Sequence, residues 1–244
     1  MIKFFRKIRY DLMKKNKTGK YLKYALGEIV LVVIGILIAL SINNWNETRK
    51  SKVLLETYTT SLIKDLQKDT LVLNEIINWV EIDNKRTLSL IQRLSAPEAN
   101  DDTLIYIVQH DLRVEYKVYR PPNRNTLLNM QEKGLLELYN DEIYSLIIDL
   151  QTTQNISESI IVANGEVYRH HIERLLAESV IGEYKSIDGP LSTKAWQELD
   201  NVHLFRQIDA LLSIKYNMSR STNQLRKELL DKSVLLIDKL REIE

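Results

Sequence analysis

Between Tyr24 and Trp45 the chain reads YALGEIVLVVIGILIALSINNW, and this stretch constrains everything around it. Ile29 to Leu40 contains only apolar residues and Gly35. As a helix its 22 residues rise about 33 Å at ~1.5 Å per residue, enough to cross a hydrocarbon core of about 30 Å. Tyr24 and Trp45 stand where amphipathic rings anchor a span at its two headgroup levels. The stretch therefore predicts one transmembrane helix over 24–45. Residues 1–23 hold nine Lys or Arg against Asp11 alone, a net of +8, whereas the excess just after Trp45 is far weaker. Basic segments stay on the cytoplasmic side, which puts the amino terminus inside and residues 46–244 outside. A secretory signal peptide competes, because Ala39-Leu40-Ser41 resembles a small-residue cleavage site. The long charged leader, and helix-forming sequence running on past Asn43 and Asn44, favour an anchor.

Within the span, Glu28 is the one ionisable residue, a functional suspect by default. Four residues from Tyr24, its carboxylate can also reach the headgroups or Lys23. Gly35 and Ala39 form a small-xxx-small pair that permits close helix approach and dimerisation. In the leader, Phe4, Phe5, Ile8 and Leu12 recur at helical spacing among basic residues, the pattern of an amphipathic helix on an anionic leaflet. A plain topology signal explains the same charges. Gly19 is expected to break that helix before the span.

The body's sign matters next. A total of +1 less the leader's +8 leaves −7 for residues 24–244. Such a body offers no broad phosphate-binding surface, which argues against nucleic acid as a partner. Without cysteine, disulfides, thiolate metal sites and a Cys nucleophile are excluded. Seven glycines and four prolines are few, and hairpin punctuation between alternating strands is missing, Asn164-Gly165 lying within a long helical pattern, so the body is expected to be all-α.

The helices follow from periodicity. One runs from 46 to 94 as a continuation of the span, with a stripe of Leu55, Tyr58, Leu62, Leu66, Leu73, Ile77, Val80, Leu88, Ile91 and Leu94. Ser95 to Asn100 is a turn, and Asp101 or Asp102 is expected to cap the next helix, whose apolar face is Leu104, Ile105, Val108 and Leu112. Leu112 to Tyr119 alternates with period two but has no partner strand, so it reads as an extended or frayed connector ending at Pro121-Pro122. A short helix over 126–133 closes at Gly134. Asn140 or Asp141 caps a long helix to about 181. Gly182 to Pro190 is a loop, Ser192 a cap signal, and a short helix occupies about 194–199. A terminal helix over 202–242 carries Leu204, Ile208, Leu211, Leu212, Leu225, Leu229, Val234, Leu236 and Leu240. One transmembrane helix followed by an elongated antiparallel bundle is the simplest packing: leader 1–23, span 24–45, body 46–244.

Lys3-Phe4-Phe5-Arg6-Lys7-Ile8-Arg9, Lys20-Tyr21-Leu22, Gly27 to Leu40 (GEIVLVVIGILIAL) and Ile42-Asn43-Asn44-Trp45-Asn46-Glu47 resemble the signature of a domain-of-unknown-function family of single-pass membrane proteins from Gram-negative, Bacteroidetes-type bacteria. Pro122-Asn123, Gly134 to Leu138 and Asn140-Asp141-Glu142 are similar to its weaker second motif. The chain departs there, with Leu127 where an aromatic is expected and Lys133 where a small residue is usual. The resemblance covers about a quarter of the chain. It implies an inner-membrane anchor with a helical periplasmic body, and no reaction, ligand or catalytic residue.

Chemistry-bearing groups are sparse. His170-His171 with Glu173 could begin a metal site, but neighbouring residues point about 100° apart on a helix, and zinc takes three or four protein ligands. A solvated helix surface explains them more simply. His110-Asp111 has the residue types of an acid–base pair, again as neighbours. No Gly-x-Ser-x-Gly, P-loop or HExxH string occurs. The residues therefore indicate no catalytic, cofactor or metal site and a non-enzymatic protein. The basic and aromatic connector Arg113, Tyr116, Lys117, Tyr119, Arg120 and Arg124 is the best candidate recognition patch, unless its tyrosines pack inward. Trp79 and Trp196 read as core or interface anchors. Besides the lipid bilayer, a protein partner or a second copy of the chain is expected in an envelope assembly. A periplasmic ligand sensor signalling through a membrane partner is the alternative, and an apolar pocket between helices would favour it.

Overall fold

The computed structural model describes residues 10, 18–117, 120–178, 187 and 189–243. Among these residues every regular element is helical: α1 Thr18–Leu94, α2 Asp101–Tyr106, α3 Asn125–Glu132, α4 Asp141–Glu178, α5 Pro190–Gln197 and α6 Asn201–Glu242, with a π turn at Ile107–Asp111 and a 3-10 turn at Leu136–Leu138. The all-helical reading holds. The leader residues Phe4, Phe5, Ile8 and Leu12, and the loop residues 182–186, lie outside the described residues. The chain divides into two compact units, Met1–Thr57 and Tyr58–Glu244.

In the first unit α1 carries the apolar stretch, none of whose most apolar window is buried by protein. Ile29 and Leu31 are each 62 % exposed. Gly19 lies in the first turn of α1, and the leader helix it is expected to break lies outside the described residues. A helix start tolerates glycine because its first N–H groups have no intrahelical acceptor to lose. A Cβ added at Gly35 would meet nothing within 4 Å, and Ala39 beside it is exposed. Glu28 is half-buried. The Arg49 guanidinium lies 5.7 Å from the Trp45 ring centroid. The Tyr24 side chain lies outside the described residues.

In the second unit, caps explain most of the helix ends. Asn100, not Asp101 or Asp102, caps α2: its side chain accepts from the Thr103 N–H at 3.0 Å, while the Thr103 hydroxyl accepts from the Asn100 N–H. The two aspartates occupy the first turn instead, where the helix dipole favours negative charge. Helix α3 ends as expected, with Gly134 at φ +65°. The Leu135 and Gly134 N–H groups reach back to the Met130 and Gln131 carbonyls. Asn140 caps α4 through Ile143 N–H at 2.9 Å, and Asp200 caps α6 through Val202 and His203. Helix α5 begins earlier than Ser192 suggests, because Pro190, with φ preset, takes its first position after Gly189.

One core gathers Leu90 of α1, Leu104 of α2, Ile107 and Val108 of the π turn, Leu112 and Val114, Tyr168 and Leu175 of α4, and Leu204, Ile208, Leu211 and Leu212 of α6. Each fully buried aliphatic side chain contributes about 1.5–3 kcal/mol relative to exposure. The connector packs as its alternation implies. Leu112 and Val114 are buried and Arg113, Glu115 and Lys117 exposed, with no strand beside it among the described residues. Helices α4 and α6 are tied by Lys239–Glu142 at 3.2 Å, Lys232–Asp149 at 2.9 Å and His203–Glu178 at 2.6 Å.

The apolar stripes are where sequence and structure part. On α6 the buried positions step by three or four from Leu204 through Ile208, Leu211, Lys215, Ser219, Thr222, Arg226, Leu229, Ser233 and Leu236 to Leu240. The stripe is continuous, but its middle is polar. Ser233 takes the inward place expected of Val234, which is 45 % exposed. On α1 the buried line continues past Val80 through Asp83, Thr87 and Leu90, leaving Leu88 on the surface. On α4, Thr153, Gln154 and Ser157 are buried between Leu150 and Ile161.

Candidate functional site

These inward polar residues form the unusual chemistry of the body. Lys215, 2 % exposed, sets its Nζ 3.0 Å from Asp83 Oδ2 and 3.1 Å from Oδ1. The same amine donates to the Arg113 carbonyl at 2.8 Å, which ties the connector to α6. Asp83 and Lys215 thus neutralise each other across 132 residues of sequence.

Eleven residues further along α6, Arg226 is 4 % exposed, and its guanidinium donates to the Thr222 hydroxyl at 3.1 Å. Among the described residues no carboxylate lies within ion-pairing distance of it. Burial holds the guanidinium below the ordinary arginine range. Burial also pushes the Tyr116 phenol up, against the lowering effect of the Arg226 charge. Tyr116 stacks obliquely on Tyr168, centroids 5.1 Å apart, and the Tyr168 hydroxyl donates to the Val114 carbonyl at 3.2 Å.

Arg226 lines a cavity of about 410 Å³. Its walls are Val72, Leu73 and Ile76 of α1, Ile161 of α4 and Leu229 of α6, with Gln154 and Ser233 as further polar groups. Lys68, Asp69, Arg120, Pro121, Pro122 and Asn123 complete the lining. The Gln154 carboxamide oxygen is buried without a hydrogen-bond partner among the described residues. The Asn123 N–H donates to both Asp69 oxygens, at 2.9 and 3.1 Å, and its amide donates to Asp65 at 2.8 Å. Thr126 donates to Asp65 at 2.5 Å. Two carboxylates on successive turns of α1 therefore fix the Pro121–Asn123 segment at the cavity edge. Burial raises the Asp69 carboxyl, and the Asn123 N–H pulls it back.

The expected connector patch does not present one face. Arg113, Lys117 and Arg120 are exposed, while Tyr116 turns inward and is half-buried. Lys117 places its ammonium 5.0 Å from the Trp79 ring centroid. Arg124 pairs with Glu158 at 3.1 Å, and Tyr119 lies outside the described residues. Trp196 packs on the core cluster. His171 Nδ1 stands 2.9 Å from the Val167 carbonyl, and Glu173 is paired with Arg169 at 2.5 Å. Asp111 is taken by Arg93 at 2.5 Å, while the His110 ring lies 4.8 Å from Tyr106. Among the described residues no group of three or more His, Asp and Glu could hold a metal ion.

Reading apolar periodicity missed Asp83, Gln154, Lys215 and Arg226. The signal that would have found them is the unbroken three-and-four spacing of α6, once polar residues are allowed on the inner face.

Residues 28–106 match a family described as a family of unknown function (DUF6090). The match takes in about a third of the chain: the apolar stretch, the α1 wall of the cavity and Asp83. It stops before Gln154, Lys215 and Arg226. It says nothing of bacterial source or of membrane crossing. No curated protein and no solved structure matches the chain.

Proposed function

We propose that this chain is a single-pass inner-membrane protein, amino terminus cytoplasmic and body periplasmic, that works by binding another envelope protein or its own copy rather than by catalysis. The observation that carries the anchor is the bare apolar window of α1. A core helix of a soluble protein would be mostly covered, and a bare apolar helix of this length suits a lipid surround. The charge step across it supports the orientation. The body is read as an antiparallel bundle, because the α4–α6 pairs 142–239, 149–232 and 178–203 run in opposite order along the two helices. For binding, the support is an exposed apolar row on α4, Ile156, Ile160, Ala163 and Val167, which shares one face away from the buried stripe.

Two measurements test this. A phosphatase fused after residue 244 is expected to be active in cells, and a cytoplasmic-type reporter there silent; the reverse pattern overturns the topology. Mass measurement of the full-length protein in gentle detergent is expected to give a defined homo-oligomer or a stoichiometric second protein, and Ile156→Glu with Ile160→Glu to dissolve it. A monomer on its own defeats the interaction reading. The cavity beside Arg226 favours a second reading, a ligand sensor that signals through a membrane partner.

A further inference from the structure

We infer that the cavity beside Arg226 binds a small monoanionic molecule with an apolar body, of the aliphatic or aryl carboxylate class, its carboxylate set against the guanidinium. This deepens the sensor reading and does not depend on membrane orientation or on a protein partner.

Three observations meet here. At about 410 Å³ the space holds roughly a dozen non-hydrogen atoms at the ~30 Å³ of a water molecule, and it falls within the usual range of ligand sites. Its walls are mainly aliphatic, from Val72, Leu73, Ile76, Ile161 and Leu229, which suits a hydrocarbon and not a sugar or nucleotide. Its lining includes a buried cation lacking a carboxylate, and an amide whose oxygen lacks a hydrogen-bond partner, among the described residues. A buried lone charge is expensive, and an incoming carboxylate offsets that cost with charge-assisted bonds. The NH₂ at the other end of the Gln154 amide can donate to the second carboxylate oxygen.

One buried guanidinium matches one carboxylate, and the lining as a whole, with Lys68, Arg120 and Arg226 against Asp69, is net positive and favours entry of an anion. A cationic ligand meets Arg226. A neutral one leaves it uncompensated.

The test uses full-length protein in zwitterionic-lipid nanodiscs and titration calorimetry, with protein-free nanodiscs as the blank. The probes are 3-phenylpropionate, its neutral amide 3-phenylpropanamide, and acetate. The acid is expected to bind, with the amide and acetate weaker by roughly tenfold or more, the worth of a charged hydrogen bond and of the apolar body. Arg226→Met is expected to lose a similar factor for the acid while keeping its helical circular dichroism. Val72→Trp, which fills the cavity and leaves Arg226 in place, is expected to remove binding. If Arg226→Met fails to fold, Val72→Trp and the acid-to-amide ratio of the wild type decide. No heat beyond the blank, equal affinity for acid and amide, or wild-type binding by a folded Arg226→Met or Val72→Trp overturns the inference. A failure of the topology reporters would leave this result standing, and the two readings therefore fail separately.

Discussion

Replacing Lys215 by Met removes one half of the Asp83–Lys215 pair and leaves a carboxylate whose side chain is 7 % exposed. At about 3 Å and an effective dielectric constant of about 20, the direct attraction is roughly 5 kcal/mol, most of it offset by the cost of desolvating both ions. The pair is therefore worth little net, but breaking it costs about 3–5 kcal/mol, because one buried charge remains. The Arg113 carbonyl loses its 2.8 Å donor as well. For a body of this size each kcal/mol moves the midpoint by about 2–4 °C, so Lys215→Met and Asp83→Leu are each expected to lower Tm by roughly 6–20 °C. The double variant Asp83→Leu with Lys215→Met is expected to return to within about 1 kcal/mol of wild type or above it. Thermal and urea unfolding of the full-length protein in one mild detergent, followed at 222 nm, measures all four corners of the cycle. Single variants within about 1 kcal/mol of wild type, or a double variant as weak as the two losses added, would refute the argument.

Gly35→Arg places a charge at mid-span at about 2.5–3.5 kcal/mol on insertion scales and is expected to abolish membrane retention; unchanged fractionation counts against a spanning helix. Lys232, held by Asp149, Thr153 and Glu228, has its pKa raised above 10.5, chiefly by the Asp149 bond. Its stabilisation is therefore complete below 10.5 and lost as pH climbs through the higher folded value. Melts between roughly pH 9.5 and 11.5 should fall more steeply for wild type than for Lys232→Met, and parallel curves would defeat this. Gly134→Val puts a β-branched residue at φ +65° and is expected to lower stability by about 1–3 kcal/mol in urea unfolding; an unchanged midpoint would argue against the left-handed cap.

Much of the fold was legible because it rests on local rules. Gly134 and Asn140 act as their chemistry requires, and the alternation of Leu112 and Val114 survives as an extended segment on the core. The cap of α2 lies one or two residues before the expected Asp101 or Asp102, because Asn, Asp and Asp in succession all suit the position. Only the reciprocal bond from Thr103 selects Asn100. The candidate site was not legible for a different reason. A search for apolar spacing discards Asp83, Gln154, Lys215 and Arg226, since such side chains rarely face inward unless each finds a partner. Asp83 finds its partner 132 residues away, and no local pattern carries that information.

The polar middle of α6 also restricts how this body can move. A helix whose inner face is leucine throughout can slip by one turn, about 5.4 Å, and find nearly equivalent packing. Here such a slip would bring Leu211 or Ser219 opposite Asp83 and strand both charges, at several kcal/mol. The ion pair acts as a detent that gives α6 one register against α1. Piston-like sliding of that helix is thereby closed off as a way of passing a signal, and rearrangement around the cavity that keeps the pair together is the motion left open.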